Sequence, residues 1–295
     1  MAAAPIEVDG LTKVFGETRA IEDLQFSVEA GEIFGYLGPN GAGKSTTLRT
    51  LMGFIEPTEG TATVLGHDVT DEAALIEAKA DIGYLPGDLN FDGAVTGWEF
   101  LDLQGALKGD ERLEEMTELF EPPLERKIRE YSTGNKQMLG IIQAFMHDPD
   151  LLIMDEPTSG LDPLMQERLN TFLRDERDAG KTIVFSSHVL GEVRRVCDRV
   201  GIIRDGHIVA LEDITTLLRK GGKRVRIHTD DPIDETDLAL DGVIEFDQVG
   251  KDTHFTFAGD YNTLLEALSE YDLIDMEIEE PPLEDVFMHF YGDDG

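Results

Sequence analysis

The sequence predicts an α/β chain: a parallel sheet core covered by helices on both faces, a helical subdomain inserted into it, and a small C-terminal α+β domain. Three observations carry that reading. Residues 33–37, 151–155 and 182–186 are short, mostly apolar runs with helical stretches between them, the pattern of strands buried on both faces. Between about residues 87 and 149 helical patterns with acidic faces, such as 110–118, replace the strands. Beyond Gly221-Gly222, a pair suited to a joint, the period drops to two in places, as in His254-Phe255-Thr256-Phe257, which suits half-buried strands.

In chain order, the strand at 33–37 ends in a glycine-rich turn and is followed by a helical stretch at 45–52. The helical subdomain comes next, and its run at 138–146 leads into the strand at 151–155. The strand at 182–186 completes the set, so residues 1–220 form the first domain. The second, 223–295, reads as strands at 224–229, 243–249 and 253–258, a helix at 261–271, a strand at 273–278 and a helix at 283–291. In open α/β sheets ligands sit beyond the C-terminal ends of the strands, and the residues with the most chemistry follow those ends here.

Composition bounds the function. The 295 residues are 41% hydrophobic, enough for a packed core. No apolar run approaches the roughly 18–20 residues that cross a bilayer, and residues 1–5 do not read as a signal peptide. One cysteine, Cys197, forms no internal disulfide, so a reducing cytosol is the expected compartment. The net charge is −36, which opposes binding to free nucleic acid. The acids are spread along the chain, so adaptation to a salty cytoplasm is preferred over a basic docking partner. At 1 M salt the Debye length shrinks to roughly 3 Å.

Gly38-Pro39-Asn40-Gly41-Ala42-Gly43-Lys44-Ser45 fits G-x-x-x-x-G-K-S between a strand and a helix. Glycines let such a loop turn its backbone N–H groups inward as an anion cradle, and the helix N-terminus adds its dipole. Lys44 supplies a mobile cation for the β- and γ-phosphates of ATP, the Ser45 hydroxyl can ligate Mg²⁺, and Thr46 follows in the first turn. Four apolar residues then lead to Asp155-Glu156. Asp155 is placed to hold magnesium through its water shell, and Glu156 to polarise an attacking water. The pattern defines a P-loop NTPase core.

Tyr131-Ser132-Thr133-Gly134-Asn135-Lys136-Gln137 resembles the signature motif of ABC ATPases, usually L-S-G-G-Q. Ser159-Gly160-Leu161-Asp162 looks like the D-loop of that family, Ser186-Ser187-His188 like its switch histidine, and Phe15 like the aromatic that stacks on adenine. The resemblance covers about residues 5–220. It implies a head-to-tail dimer, with itself or a paralogous ATPase subunit. Each ATP would lie between one P-loop and the partner's Ser132, Gly134 and Asp162, with Glu156, His188 and Lys44 catalytic. Taken singly, Phe15 and His188 also read as core residues, and Ser132 and Gly134 as a helix cap and turn. ATP-driven closure would power a separate membrane-spanning permease, which places the chain in the cytoplasm on the inner face of the membrane.

Two departures stand out. Gly87, followed by Asp88, occupies the position where the family usually has glutamine, and Asp88 is the candidate replacement as an oxygen ligand to Mg²⁺. Thr133 and Asn135 replace glycine and glutamine, while Ser132 and Gly134 are kept. The Y-S-T-G form of the signature, Tyr84-Leu85-Pro86-Gly87 and the C-terminal Pro281-Pro282-Leu283-Glu284-Asp285-Val286-Phe287 resemble the branch that serves drug, antibiotic or lipid export. The alternatives are a nucleotide-sensing ABC protein with little turnover and a soluble, non-transport ABC ATPase. The short stretch from Lys44 to Ser132 and the single cassette argue against the latter.

Overall fold

A computed structural model describes residues 4–279 except 231, 232, 234, 235, 237 and 239. In chain order its elements are β1 (Ile6–Phe15), β2 (Thr18–Val28), β3 (Ile33–Leu37), α1 (Lys44–Leu51), β4 (Glu59–Val64), β5 (His67–Asp68), α2 (Glu72–Ala78) and β6 (Ile82–Leu85). There follow α3 (Gly97–Lys108), α4 (Leu113–Phe120), α5 (Thr133–Phe145), β7 (Leu151–Asp155), α6 (Pro163–Asp178), β8 (Thr182–Ser187), α7 (Leu190–Val196), β9 (Arg199–Arg204) and β10 (His207–Asp213). The last are α8 (Ile214–Gly221), β11 (Lys223–Thr229), β12 (Val243–Val249), β13 (Asp252–Phe257), α9 (Tyr261–Leu268) and β14 (Leu273–Glu279). The chain divides into two compact units after Glu212, so Gly221-Gly222 lies within the second, at the end of α8 and just before β11.

In the first unit a six-stranded sheet has the order β10-β9-β3-β8-β7-β6. The pairs β6/β7, β7/β8, β8/β3 and β3/β9 are parallel. Every residue of β3, β7 and β8 is buried, which is why these runs lack polar alternation. Their register sets Leu37 opposite Ser187 and Asp155 opposite Ser186. Gly38, Glu156 and His188 therefore emerge together at the sheet's C-terminal edge.

A four-stranded antiparallel sheet, β2-β1-β4-β5, was not anticipated. Register shifts along the β1/β2 pairing break the period-two signal that marks half-buried strands. Phe26 of β2 stacks on Phe34 and Tyr36 of β3 at 5.7 Å each, joining the two sheets through one core. Each such side chain contributes roughly 1.5–3 kcal/mol on burial.

The helices α3, α4 and α5 lie between β6 and β7. Thr96 and Glu99 form a capping box at the start of α3. Phe120 of α4 and Phe145 of α5 both meet Phe172 of α6 edge-on, at 5.8 and 4.8 Å. Arg112 donates through both terminal nitrogens to buried Glu176, at 2.6 and 2.7 Å. Hydrogen bonds to Glu115 and Glu176 hold its guanidinium pKa above the ordinary value.

The second unit holds an antiparallel sheet of order β12-β13-β11-β14. Its core is built around Val225, Ile227, Phe255, Phe257, Leu264 and Leu268. These strands and α9 correspond to the segments expected there. The expected helix at 283–291 lies outside the described residues. Among those, no helix is long and apolar enough to cross a membrane.

Candidate functional site

The loop after β3 is held at both ends. The Gly38 amide donates to Ser187 O at 3.1 Å, and the Ala42 amide to Pro39 O at 3.2 Å. Gly43 caps α1 with φ 111°. A Cβ there would lie 2.6 Å from Ala20 O, so both backbone angle and space demand glycine. Pro39, Asn40 and Gly41 are exposed, Gly38 and Ala42 buried, and Ser45 and Thr46 half-buried. Lys44 is only 5% exposed. Its Nζ donates to Gly38 O at 2.7 Å and Pro39 O at 3.2 Å, and lies 3.6 Å from Glu156 Oε1. Burial lowers its pKa, and the charges of Glu156 and Asp155 oppose that shift. The first turn of α1 carries no acidic residue, so no side chain of the helix itself compensates its N-terminal field.

Two carboxylates face this loop from β7. Asp155 is 3% exposed, and its Oδ1 accepts from Ser186 Oγ at 2.5 Å. Glu156 follows with φ 50°, a left-handed angle that costs a non-glycine residue about 1–3 kcal/mol. Its amide donates to Ser186 O at 3.2 Å and to Ser186 Oγ at 3.1 Å. These bonds offset the strain and swing the side chain off the strand direction. Glu156 Oε1 then lies 3.1 Å from His188 Nδ1. A carboxylate between a histidine and a lysine at the mouth of an anion loop can take a proton from a water.

Gly87, after β6, runs against Asp155: a Cβ at this position would sit 2.9 Å from Asp155 Oδ2. Asp88 is instead 82% exposed and pairs with Arg49 at 3.4 Å. Burial raises the Tyr84 pKa, and the charge of Asp155 adds to it. Among the described residues no group of three or more His, Cys, Asp or Glu side chains is arranged to hold a metal. Ser45 and Asp155 supply oxygen donors only. That suits Mg²⁺, which keeps several waters and takes further oxygens from phosphate.

A second set lies at two helix starts. Ser132 Oγ accepts from the Asn135 amide at 3.2 Å and caps α5, whose first turn has no acidic residue. Asp162 Oδ1 accepts from the Met165 amide at 2.9 Å and caps α6. The two starts abut, since a Cβ on Gly134 would lie 2.7 Å from Gly160 O. Ser132 and Asp162 are both exposed. Phe15 is 49% exposed at the end of β1, with the Lys13 ammonium 5.1 Å from its ring. The structure thus collects Lys44, Asp155, Glu156 and His188, and keeps Ser132, Gly134 and Asp162 as a separate group.

Sequence reasoning missed two residues. Ser186 Oγ donates to the Asp155 carboxylate and accepts from the Glu156 amide, but only the β7/β8 register reveals it. Gln137, 4% exposed, donates through Nε2 to Glu156 O at 3.3 Å and Pro157 O at 2.9 Å. An amide within an apolar helical run was a usable signal, because buried polar groups need partners.

The family model described as "ABC transporter" matches residues 21–159. The Nod factor export ATP-binding protein I of Burkholderia lata is 34% identical, over 99% of this chain and 98% of its own length. The daunorubicin/doxorubicin resistance ATP-binding protein DrrA of Streptomyces peucetius is 36% identical, over 76% of this chain and 70% of its own. A solved ATP-binding subunit of an ABC transporter superposes with a TM-score of 0.67 at 30% identity, covering 73% of this chain and 92% of that one.

Proposed function

The chain belongs to the ABC transporter family as an ATP-binding subunit, and from that premise we propose that it hydrolyses ATP with Mg²⁺ to drive an exporter's separate membrane-spanning permease. The observation that carries this reading is the convergence on Glu156, whose Oε1 lies 3.1 Å from His188 Nδ1 and 3.6 Å from Lys44 Nζ.

In this reading residues 38–46 wrap the phosphates with backbone N–H groups, and Lys44 exchanges its loop carbonyls for phosphate oxygens. Ser45 and Asp155 hold the magnesium, which would neutralise phosphate charge. Glu156 takes the proton of the attacking water. His188 meets the γ-phosphate, and Phe15 offers its exposed face to adenine. Ser132, Gly134 and Asp162 complete the ATP site of a second subunit, so two chains, identical or paralogous, would close head to tail around nucleotide. Export as the direction of transport follows the named activities of the relatives. A place on the inner face of the membrane follows from the permease partner.

A sensing role with little turnover is the second reading, favoured by Gly87 at the usual glutamine position. The net charge of −36 supports work in a salty cytoplasm, and folding should then require molar KCl. The test is ATP hydrolysis against protein concentration in high-KCl buffer with Mg²⁺, for this chain and Glu156→Gln. A rate rising faster than linearly, and lost in the variant, supports the hydrolytic dimer. Nucleotide binding without turnover at any concentration favours sensing.

A further inference from the structure

The turn that carries Glu156 and the loop that carries His188 are joined a second time, away from the pair itself. Thr158 Oγ1 donates to Glu192 Oε1 at 2.6 Å, and Ser187 Oγ donates to Glu192 Oε2 at 2.6 Å. The Val189 amide in turn donates to Ser187 Oγ at 2.9 Å. Thr158 stands two residues after Glu156 and is 7% exposed; Ser187 directly precedes His188 and is 1% exposed. One carboxylate therefore takes a hydroxyl from each arm, one oxygen apiece. Its own element, α7, is anchored by buried Leu190, Val193 and Val196.

We propose that Glu192 is a positioning residue for hydrolysis, which sets the spacing between Glu156 and His188 without touching nucleotide. The proposal rests on the assignment of those two residues to ATP hydrolysis. The physical need is plain. Glu156 sits at a strained backbone angle, and His188 is about half exposed, so packing alone does not hold either side chain. A bridge of two hydrogen bonds to one carboxylate is short and directional, and it ties both arms to α7. Small misplacements of reacting groups cost large factors in rate.

The test is steady-state hydrolysis in Glu192→Gln, Thr158→Val and the double variant, with binding of a fluorescent ATP analogue measured in parallel. Gln keeps the shape but offers one acceptor oxygen in place of two. The expected result is a turnover number about tenfold lower in each single variant, with nucleotide affinity within about twofold of wild type. The double variant should be no slower than the slower single variant, because both break the same bridge. Thr158→Ser, which keeps the hydroxyl, should restore wild-type turnover and guards against a folding defect. Unchanged turnover in Glu192→Gln, while Glu156→Gln is inactive, overturns this inference alone. So do fully additive losses, or loss of nucleotide affinity in step with turnover. Turnover that Glu156→Gln leaves intact overturns the assignment of the base and this inference with it.

Discussion

The loop side of the site and the helix-start side are built by opposite means. On the loop side Lys44 and Asp155 are almost fully buried, and parallel register brings the ends of β3, β7 and β8 together. On the other side Ser132 and Asp162 are exposed and cap their own helices. The buried half has its charges partnered within the chain. The exposed half offers an N-terminal helix field with no acid in the first turn of α5, which is available to an anion brought by another molecule. Under the proposed function, a monomer on this plan would bind nucleotide and a dimer would hydrolyse it.

The most forceful way to break the comparison is Glu156→Gln. It should lower turnover about 10²–10⁴-fold, the range for a lost general base, while fluorescent ATP still binds. A phosphate-release assay that finds only a small loss would remove the base from the loop side. Gly134→Ala probes the other half. Its Cβ would press on Gly160 O, at 2.7 Å, and overpacking of this kind costs about 1–3 kcal/mol. Turnover should fall about tenfold or more, and ATP-dependent dimers should disappear in size-exclusion runs, with nucleotide binding by the monomer unchanged. Equal loss of binding would mean that the two halves are not separate.

Ser186→Ala sharpens the loop side. Removing the hydroxyl that holds Asp155 and the Glu156 amide forfeits a hydrogen bond to a charged group, worth about 1.5–3 kcal/mol. The Mg²⁺ concentration for half-maximal binding of the ATP analogue should rise about tenfold, while binding in EDTA should not change. The smallest effect is expected from Asp88→Ala. Its pair with Arg49 is solvent-exposed, and such pairs contribute about 0–1 kcal/mol. Mg²⁺ dependence should stay within about twofold of wild type, and a larger shift would establish Asp88 as an oxygen ligand, the role suggested by its place after Gly87.

The two halves were unequally legible. Residues 38–45 form one contiguous motif, so local backbone chemistry alone announces an anion cradle. Ser132-Thr133-Gly134 is also contiguous, and its reading as a cap on a helix matches the Ser132 Oγ bond to the Asn135 amide. Ser186 was read only as part of the run before His188, because its use depends on which residue of β7 lies opposite. Gln137 was read only as part of the signature, because its partners lie 19 and 20 residues further on. The antiparallel sheet of β1, β2, β4 and β5 was missed because register shifts blur its alternation.

The sequence by itself determined the parallel core, the order of the chemical motifs and the family. Those depend on apolar runs and on residues adjacent in the chain, where composition and local geometry suffice. Only the tertiary structure decided how Glu156 and His188 meet, why Ser186 holds the Asp155 carboxylate and the Glu156 amide together and that Glu192 clasps both arms. Each of those contacts joins residues from different strands, loops or helices. Their distances follow from sheet register and helix packing, which no local pattern encodes.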